Sequence, residues 1–469
     1  ELAESLNDPS SGAGPVQGAA RKDETSRGHV EHEPRERALP DARLTDEEHR
    51  RRALGRASCR VERSARRAQL LGDRAVDHQH LERVLVADDA RVDLLELREI
   101  LAGDDASHAA RAAHLEKRPH RHLAHLGELV GDDGGLLSRS PVAQMEAIAL
   151  LVRLRACYQA VRREPPQALS TIMALLVPPL LALTHGDGSL GSWQGGWAVD
   201  GSAVAALIAA TGVRTRPLRD VRQWGYQRVV ARKGILQFDA APPPLAKHAR
   251  SGCASTLAFE FSHAGQRLIV NCGGAACAGG LMPVRLEQGL RATAAHSTLV
   301  LDDANSTAIL INGKIGSGVS EVEVDRRVLS GERLAGATRL EASHNGYVSR
   351  FGLTHQRILI LRDDGTELRG EDLLVPAGKK GKNGKVGFAI RFHVGPGVEV
   401  GLSEDGQGAG LALPDGSYWQ FRAAGGQVSV EESIWADGQG RPQAIQQIVV
   451  SGLVSRGGGN FAWLLKKMG

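Results

Sequence analysis

Not one Phe, Tyr or Trp occurs from Glu1 to Cys157; the six Trp, four Tyr and eight Phe all fall between Tyr158 and Trp463. Aromatic side chains dominate core burial, so a segment of that length without any is a poor candidate for a packed domain. Cysteine is scarce too: five residues, at 59, 157, 253, 272 and 277, form no CxxC pair. An odd count argues against a complete disulfide framework, and buried free thiols are the favoured reading; a Cys272–Cys277 pair stays open. The net charge of +4 over 469 residues gives no case for a nucleic-acid partner. No apolar run exceeds that from Ile172 to Leu183, which is shorter than the ~20 residues of a membrane span and holds Pro178-Pro179. The chain opens Glu1-Leu-Ala-Glu without Met, a basic n-region or an apolar h-region, so no signal peptide is visible. There is no GxSxG, HExxH or GxxxxGK[ST] motif, which removes the common hydrolase, metalloprotease and nucleotide-binding readings.

The aromatic-free text is rich in Arg, His, Asp and Glu, as in His29-Val-Glu-His-Glu-Pro-Arg-Glu-Arg and Lys117-Arg-Pro-His-Arg-His, and holds ten of the 17 histidines. These histidines lack a carboxylate-backed ligand spacing and are not read as metal sites. Leu and Val recur at helical intervals from Leu81 to Leu101, enough for one or two helices. Residues 1–130 are therefore expected to be disordered or loosely helical. Out-of-frame translation of GC-rich DNA yields text of this kind, so a frameshifted gene stands beside a genuine extension as their origin.

From Pro141 the character changes. Val142 to Arg163 has the pattern of an amphipathic helix, and Pro165-Pro166 ends it and starts a second over Gln167 to about Val177. Pro178-Pro179 is expected to kink or break that second helix. Past about Leu218 the period becomes two. Leu257-Ala-Phe-Glu-Phe-Ser and Arg267-Leu-Ile-Val-Asn-Cys flank His263-Ala-Gly-Gln and predict a hairpin. Strand-like runs follow at Ser297–Leu301, Thr307–Ile311, Ser320–Val328, His355–Arg362, Glu367–Val375, Gly387–Val394, Val398–Leu402, Tyr418–Arg422, Gln427–Glu432 and Ala444–Ser451. Asp302-Asp303, Asp363-Asp-Gly and Pro414-Asp-Gly read as turns, and Lys379 to Lys385 as a solvated loop. Many short strands at this spacing imply an antiparallel sandwich.

Several stretches occur in the order of heparinase II/III family text. They are Gly225-Tyr-Gln-Arg-Val-Val with Phe238-Asp-Ala-Ala-Pro, Lys247-His-Ala-Arg-Ser-Gly-Cys with Leu257-Ala-Phe-Glu-Phe, Leu268-Ile-Val-Asn-Cys-Gly-Gly, Thr293-Ala-Ala-His-Ser-Thr-Leu-Val-Leu-Asp, and His344-Asn-Gly-Tyr with His355-Gln-Arg. Upstream, Asp133-Gly-Gly-Leu-Leu-Ser-Arg-Ser-Pro and the helix pair to His185-Gly-Asp-Gly resemble the end of that family's α/α toroid. The resemblance spans roughly residues 132–455. It implies an α+β multidomain chain: a disordered or loosely helical segment (1–130), an incomplete α/α toroid-like helical region (131–216) and a C-terminal antiparallel β-sandwich (217–469).

The activity implied is β-elimination on a uronate-containing polysaccharide. Such a reaction neutralises the sugar carboxylate, removes the C5 proton with a Tyr or His, and protonates the leaving O4. Carried over by position, His248 is the candidate catalytic or carboxylate-facing histidine. Arg139 and Gln144 remain near the toroid motif as polar groups that could face a carboxylate, although each is read first as a surface residue at a helix start. Tyr226 and Tyr347 are the remaining motif-borne tyrosines; with Arg139 they stand as catalytic candidates beside His248, although both tyrosines are read chiefly as packing residues. Of the three metal positions only His296 remains, since Arg250 and Asn271 replace the others; no metal or other cofactor is expected. The toroid tyrosine after Ser140-Pro141 is missing, because Val142 follows. The implied partner is an anionic or envelope polysaccharide and the implied compartment the periplasm or cell envelope, with no nucleic acid and no membrane span. The lost groups favour an inactive chain. The competing class is a non-catalytic sandwich that binds glycans or survives from a broken gene.

Overall fold

A computed structural model describes residues 123–469 apart from 161, 222, 249–251, 275–283, 331–335 and 378–383, and its described part lies in one compact unit. The expectations for residues 1–122, including the Leu81–Leu101 helices and the histidine clusters, lie outside the described residues. So do those for Arg250, Cys277 and most of the 379–385 loop.

Three helices come first: α1 (Pro141–Ala160), α2 (Gln167–Ala182) and α3 (Gly201–Thr211). Their apolar faces share a core in which Ile148, Leu151 and Leu154 of α1 meet Met173, Leu176, Val177 and Leu180 of α2. The proline pair does not break the helix: α2 runs through Pro178 and Pro179 to Ala182. The prolines remove two backbone donors, but the loosened turn is braced from outside. Gln144 Nε2 donates to Leu176 O at 2.7 Å, and Gly134 is packed so closely that a Cβ there would lie 2.0 Å from Leu175 O. The helix α3 was not foreseen; it ends on Gly212 at φ 72°, the left-handed C-cap that glycine supplies freely. Among the described residues no helix is long and apolar enough to cross a membrane.

The strands are β1 (Asp220–Val221), β2 (Tyr226–Ala231), β3 (Gly234–Asp239), β4 (Phe259–His263), β5 (Gln266–Val270), β6 (Leu299–Leu301), β7 (Val322–Val328), β8 (Thr338–His344) and β9 (Leu353–Leu361). They continue with β10 (Glu367–Pro376), β11 (Lys385–Val394), β12 (Glu399–Leu402), β13 (Gly408–Ala412), β14 (Tyr418–Ala423), β15 (Gln427–Ala436), β16 (Pro442–Ser455) and β17 (Gly459–Lys467). Short helices α4 (Val284–Gly289) and α5 (Val348–Phe351) lie between them. All pairings are antiparallel. One sheet has nine strands in the order β1-β2-β3-β4-β5-β11-β16-β15, with β6 on β11; the other has eight, β12-β13-β14-β17-β10-β9-β8-β7.

The expected antiparallel architecture is present. Leu236, Phe238, Phe259, Phe261 and Phe392 of the first sheet share one core with Leu359, Leu361, Trp419, Phe421 and Trp463 of the second. Phe259 stacks on Trp463 at 5.4 Å, and Phe392 meets the same indole edge-on at 4.9 Å. The predicted hairpin joins β4 to β5 through Ala264 and Gly265, at φ 52° and 84°; two left-handed residues give the turn whose twist matches the strands. Thr307–Ile311 is not a strand. Its chain folds back around Asn312-Gly313 with a single bridge, Ile309 to Ile315. Strands β8, β13 and β17 were not in the expected set.

Candidate functional site

The chain between α1 and the preceding Asp133-Gly-Gly loop turns at Arg139, which has φ 56°. Arg139 is buried beneath the helices against β2 and β3, not on the surface as expected. Its Nε donates to Trp224 O at 2.8 Å, Nη1 to Pro242 O at 2.6 Å and Nη2 to Gly225 O at 3.1 Å and to the Asp239 carboxylate. The guanidinium lies 4.7 Å from the Tyr226 ring centre, and the Tyr226 hydroxyl donates to Arg139 O at 2.6 Å. Asp239 also accepts from Ser255 Oγ at 2.7 Å and from Gln194 Nε2 at 3.4 Å. Gln144, the other expected surface residue, is fully buried; it accepts from Leu136 N and donates to Gly134 O and Leu176 O. Both corrections have one cause. Each side chain satisfies backbone groups of segments that pack over the helix start, and those segments lie far along the chain or in the loop before it.

A second buried cluster lies on the same face of the nine-stranded sheet. Glu260 of β4 accepts from His185 Nε2 at 2.9 Å, Arg267 Nη1 at 3.2 Å, Ser192 N at 2.9 Å and Asn271 N at 3.1 Å. Burial opposes its ionisation, yet His185 and Arg267 hold its carboxyl below the ordinary carboxylate range. Burial and the neighbouring Arg267 push His185 down. Neutral His185 thus donates through Nε2 to Glu260 and accepts at Nδ1 from Ser262 Oγ, 2.8 Å away. Arg267 Nη2 completes the seam by donating to Ser189 Oγ and Leu190 O, both at 2.6 Å. Sequence reading singled out neither Glu260 nor Arg267. The available signal was a Glu between two phenylalanines at a position that alternation does not assign to solvent.

Tyr347 lies elsewhere, in the core between the sheets, and its hydroxyl donates to Leu299 O at 2.9 Å. Burial raises the phenols of Tyr226 and Tyr347 well above their ordinary value. Near Tyr347, His344 accepts from Gly346 N at Nδ1, so its Nε2 donates to His355 Nδ1 at 3.3 Å, and His355 Nε2 donates to Asp372 at 2.7 Å. Arg357 pairs with Asp372 and crosses the core to donate to Leu257 O and Ser297 O, at 2.8 and 2.7 Å.

His296 is buried; its Nδ1 donates to Ala292 O at 2.8 Å, and burial pushes its pKa down to about 4. Asn271, at the position where the resemblance implies a metal-binding Asp, uses its carboxamide fully: Oδ1 accepts from Ser297 N at 2.9 Å and Nδ2 donates to Glu260 at 3.2 Å. Among the described residues no three His, Cys, Asp or Glu side chains converge as metal ligands. An amide engaged at both ends beside one free imidazole nitrogen does not fit a zinc site. Cys253 and Cys272 are buried free thiols and Cys157 is a half-buried one.

His248 is half-buried in the 240–258 loop, and burial, then Lys247, lowers its pKa. That loop is tied to the one before His296 by Ala254 N to Arg291 O and Arg291 Nε to Gly252 O, both 2.9 Å. Among the described residues no hydrogen bond or ring contact joins His248 to Arg139, Tyr226, Tyr347 or His296. Of the candidates, Arg139 and Tyr226 are in direct contact.

Two antiparallel sheets with helices held onto the outer face of one by buried polar contacts define a two-part, helix-and-double-sheet architecture. The family described as heparinase II/III-like, C-terminal, matches residues 213–464, and the chain belongs to that family. It is 28% identical to FtsZ-localized protein C of Caulobacter vibrioides (strain NA1000 / CB15N) over 73% of this chain and 59% of that protein. Its fold is similar to that of heparan sulfate lyase HepC from Pedobacter heparinus, with TM-score 0.56, 14% identity, and coverage of 80% of this chain and 62% of the other. A heparinase III structure gives TM-score 0.55 at 13% identity, covering 75% of this chain and 57% of the other. The chain therefore spans about three-fifths of the length of these relatives.

Proposed function

We propose that this chain is a polysaccharide-engaging member of the heparinase II/III-type lyases that has lost β-elimination, its helices being the remnant of an α/α toroid. One observation carries the reading. The motif-borne tyrosines and Arg139 are buried and committed to main-chain carbonyls or to Asp239, so none offers a phenolate base, a phenol acid or a free cation to a sugar. Elimination needs such groups at the reacting atoms. The polymer class is an anionic or envelope polysaccharide. The Caulobacter relative is named for its localisation with FtsZ; the periplasm or cell envelope, as the place where the polymer is met, rests on the family resemblance alone.

A second reading keeps catalysis. Half-buried His248, with its lowered pKa, is neutral at pH 7 as a general base must be. The test incubates the chain with hyaluronan, alginate and heparan sulfate, follows the ultraviolet absorbance of unsaturated uronate, and measures retention on the same polymers immobilised. The expected result is retention without product. Product formed by the native chain but not by His248→Ala would establish the second reading, and neither retention nor product with any polymer would sink both.

A further inference from the structure

Of the 18 aromatic side chains, all within the described residues, 17 are buried and one is not: Tyr418 of β14 is 49% exposed. It stands on the outer face of the eight-stranded sheet, because its neighbours Trp419 and Phe421 point into the core. The strand beside it, β13, presents Gly408, Gly410 and Ala412 on that face, opposite Arg422, Gln420 and Tyr418 in register. The tyrosine does not stand upright. A Cβ built on Gly410 would lie 1.8 Å from the Tyr418 hydroxyl and 2.7 Å from its Cζ, so the ring extends along the sheet and its tip fills the space that glycine leaves.

Covering a glycine is itself a known use of a cross-strand aromatic. What surrounds this ring goes further. Gln420, one alternation along, has no side-chain hydrogen-bond partner among the described residues and sits in register with Lys466 of β17. Lys466 is half-exposed and reaches only to 4.0 Å from Glu367. Arg422, the next outward position, is partly exposed but paired with Asp405 at 2.6 Å, which leaves Lys466 as the cation with the looser partner. Successive outward residues on a strand are roughly 7 Å apart, so ring, amide and ammonium fall within the span of one or two sugar units.

We propose that this face is a polysaccharide subsite, separate from the helix–sheet seam, taking a pyranose of an acidic polymer. The C–H face of the sugar would stack on Tyr418, the Gln420 carboxamide would bond its hydroxyls, and Lys466 would meet its carboxylate. The flat ring, laid over Gly410, provides apolar area at low entropic cost, and the cation matches the charge. The subsite rests on the polysaccharide reading given above.

The test measures retention of the full chain on immobilised alginate, with dextran as the neutral control. Tyr418→Ala should weaken retention by about tenfold, while Tyr418→Phe, which keeps the ring, should hold it. Gly410→Ala should also weaken it, since the new Cβ must displace the ring; only the far end of a flexible side chain has to move, so the melting temperature should stay near that of the native chain. A ring that merely shelters glycine would shift melting in Tyr418→Ala and leave retention unchanged, and that result would overturn the subsite alone. Native protein that passes straight through the alginate column, and equally through hyaluronan and heparan sulfate columns, would defeat the polysaccharide reading and the subsite with it.

Discussion

The two sheets put the same period of two to opposite uses. In the nine-stranded sheet, β3 is buried at all six positions and β4 at all five; in the eight-stranded sheet, β9 alternates strictly between buried and half-buried. Both have apolar residues facing the shared core. The difference lies on the outer faces. Gln237, Asp239, Glu260 and Ser262 point away from that core into a dry seam, where Trp193, Arg139, His185 and Arg267 meet them. On the other sheet Arg339, Glu341, Arg369 and Lys466 occupy the corresponding outward positions and remain partly solvated. A polar residue in an alternating strand therefore marks water in one sheet and a second interface in the other.

The sharpest way to break this comparison is to remove one carboxylate from each outer face. Glu260→Ala strands Arg267, the Ser192 amide and the Asn271 amide in the dry seam, and is expected to cost about 3–5 kcal/mol. Asp325→Ala, which removes the partner of Arg327 on the open face, is expected to cost no more than ~1 kcal/mol. Urea midpoints of the two variants measure the contrast; equal losses would mean that the outer faces are energetically alike.

Acid should act on the nine-stranded side in the same sense. Burial pushes His296 down to about 4 and His393 to about 3, from ordinary values of 6.5. His393 faces Ser433 Oγ at 2.7 Å and Ala294 O at 3.0 Å, with Cys272, His296 and Arg391 nearby. A folded value below the unfolded one means the unfolded chain binds more protons below pH 6.5. Stability from these groups is thus complete above about pH 6.5 and drains as pH falls from there toward 3, at roughly 1.4 kcal/mol per histidine per pH unit. Denaturation followed from pH 7.5 to 5 should show this decline, and His393→Gln should flatten it by one proton. A pH-independent midpoint over that range would refute the buried neutral state of these rings.

What was legible in the sequence follows from the range over which each feature is decided. The β4–β5 hairpin was plain because Ala264-Gly265 supplies its left-handed turn locally. Strand β13 was not, because Gly-Ala-Gly-Leu-Ala reads as loop text until Tyr418 is seen to cover Gly410. Strand β17 opens on the last of three glycines and carries Leu464-Leu465 across both faces, which hides its alternation. That α2 would continue past its prolines was not legible because the contacts of Gln144 and Gly134 come from outside that helix. At the candidate site the family motifs were found in order, but motif position could not reveal burial. Arg139 reads as a helix-start residue until segments 85 to 100 positions later close over it.

The smallest expected effect concerns a single hydroxyl. Val229 of β2 is 2% exposed and Val328 of the edge strand β7 is 69% exposed, although both occupy strands of similar length. Val→Thr keeps the shape and adds one polar atom. At 229 the hydroxyl would enter the core between the sheets, costing about 1–3 kcal/mol if it finds no acceptor. At 328 it would lie in water directly opposite Thr338 of β8, where cross-strand Thr–Thr pairs are favourable by a few tenths of a kcal/mol. Val328→Thr should therefore leave the urea midpoint unchanged or raise it slightly, and it should also lower any tendency of that exposed edge to pair with another copy. A clear loss of stability at 328 would show that something covers β7, and the open-sheet half of the comparison would then have to be redrawn.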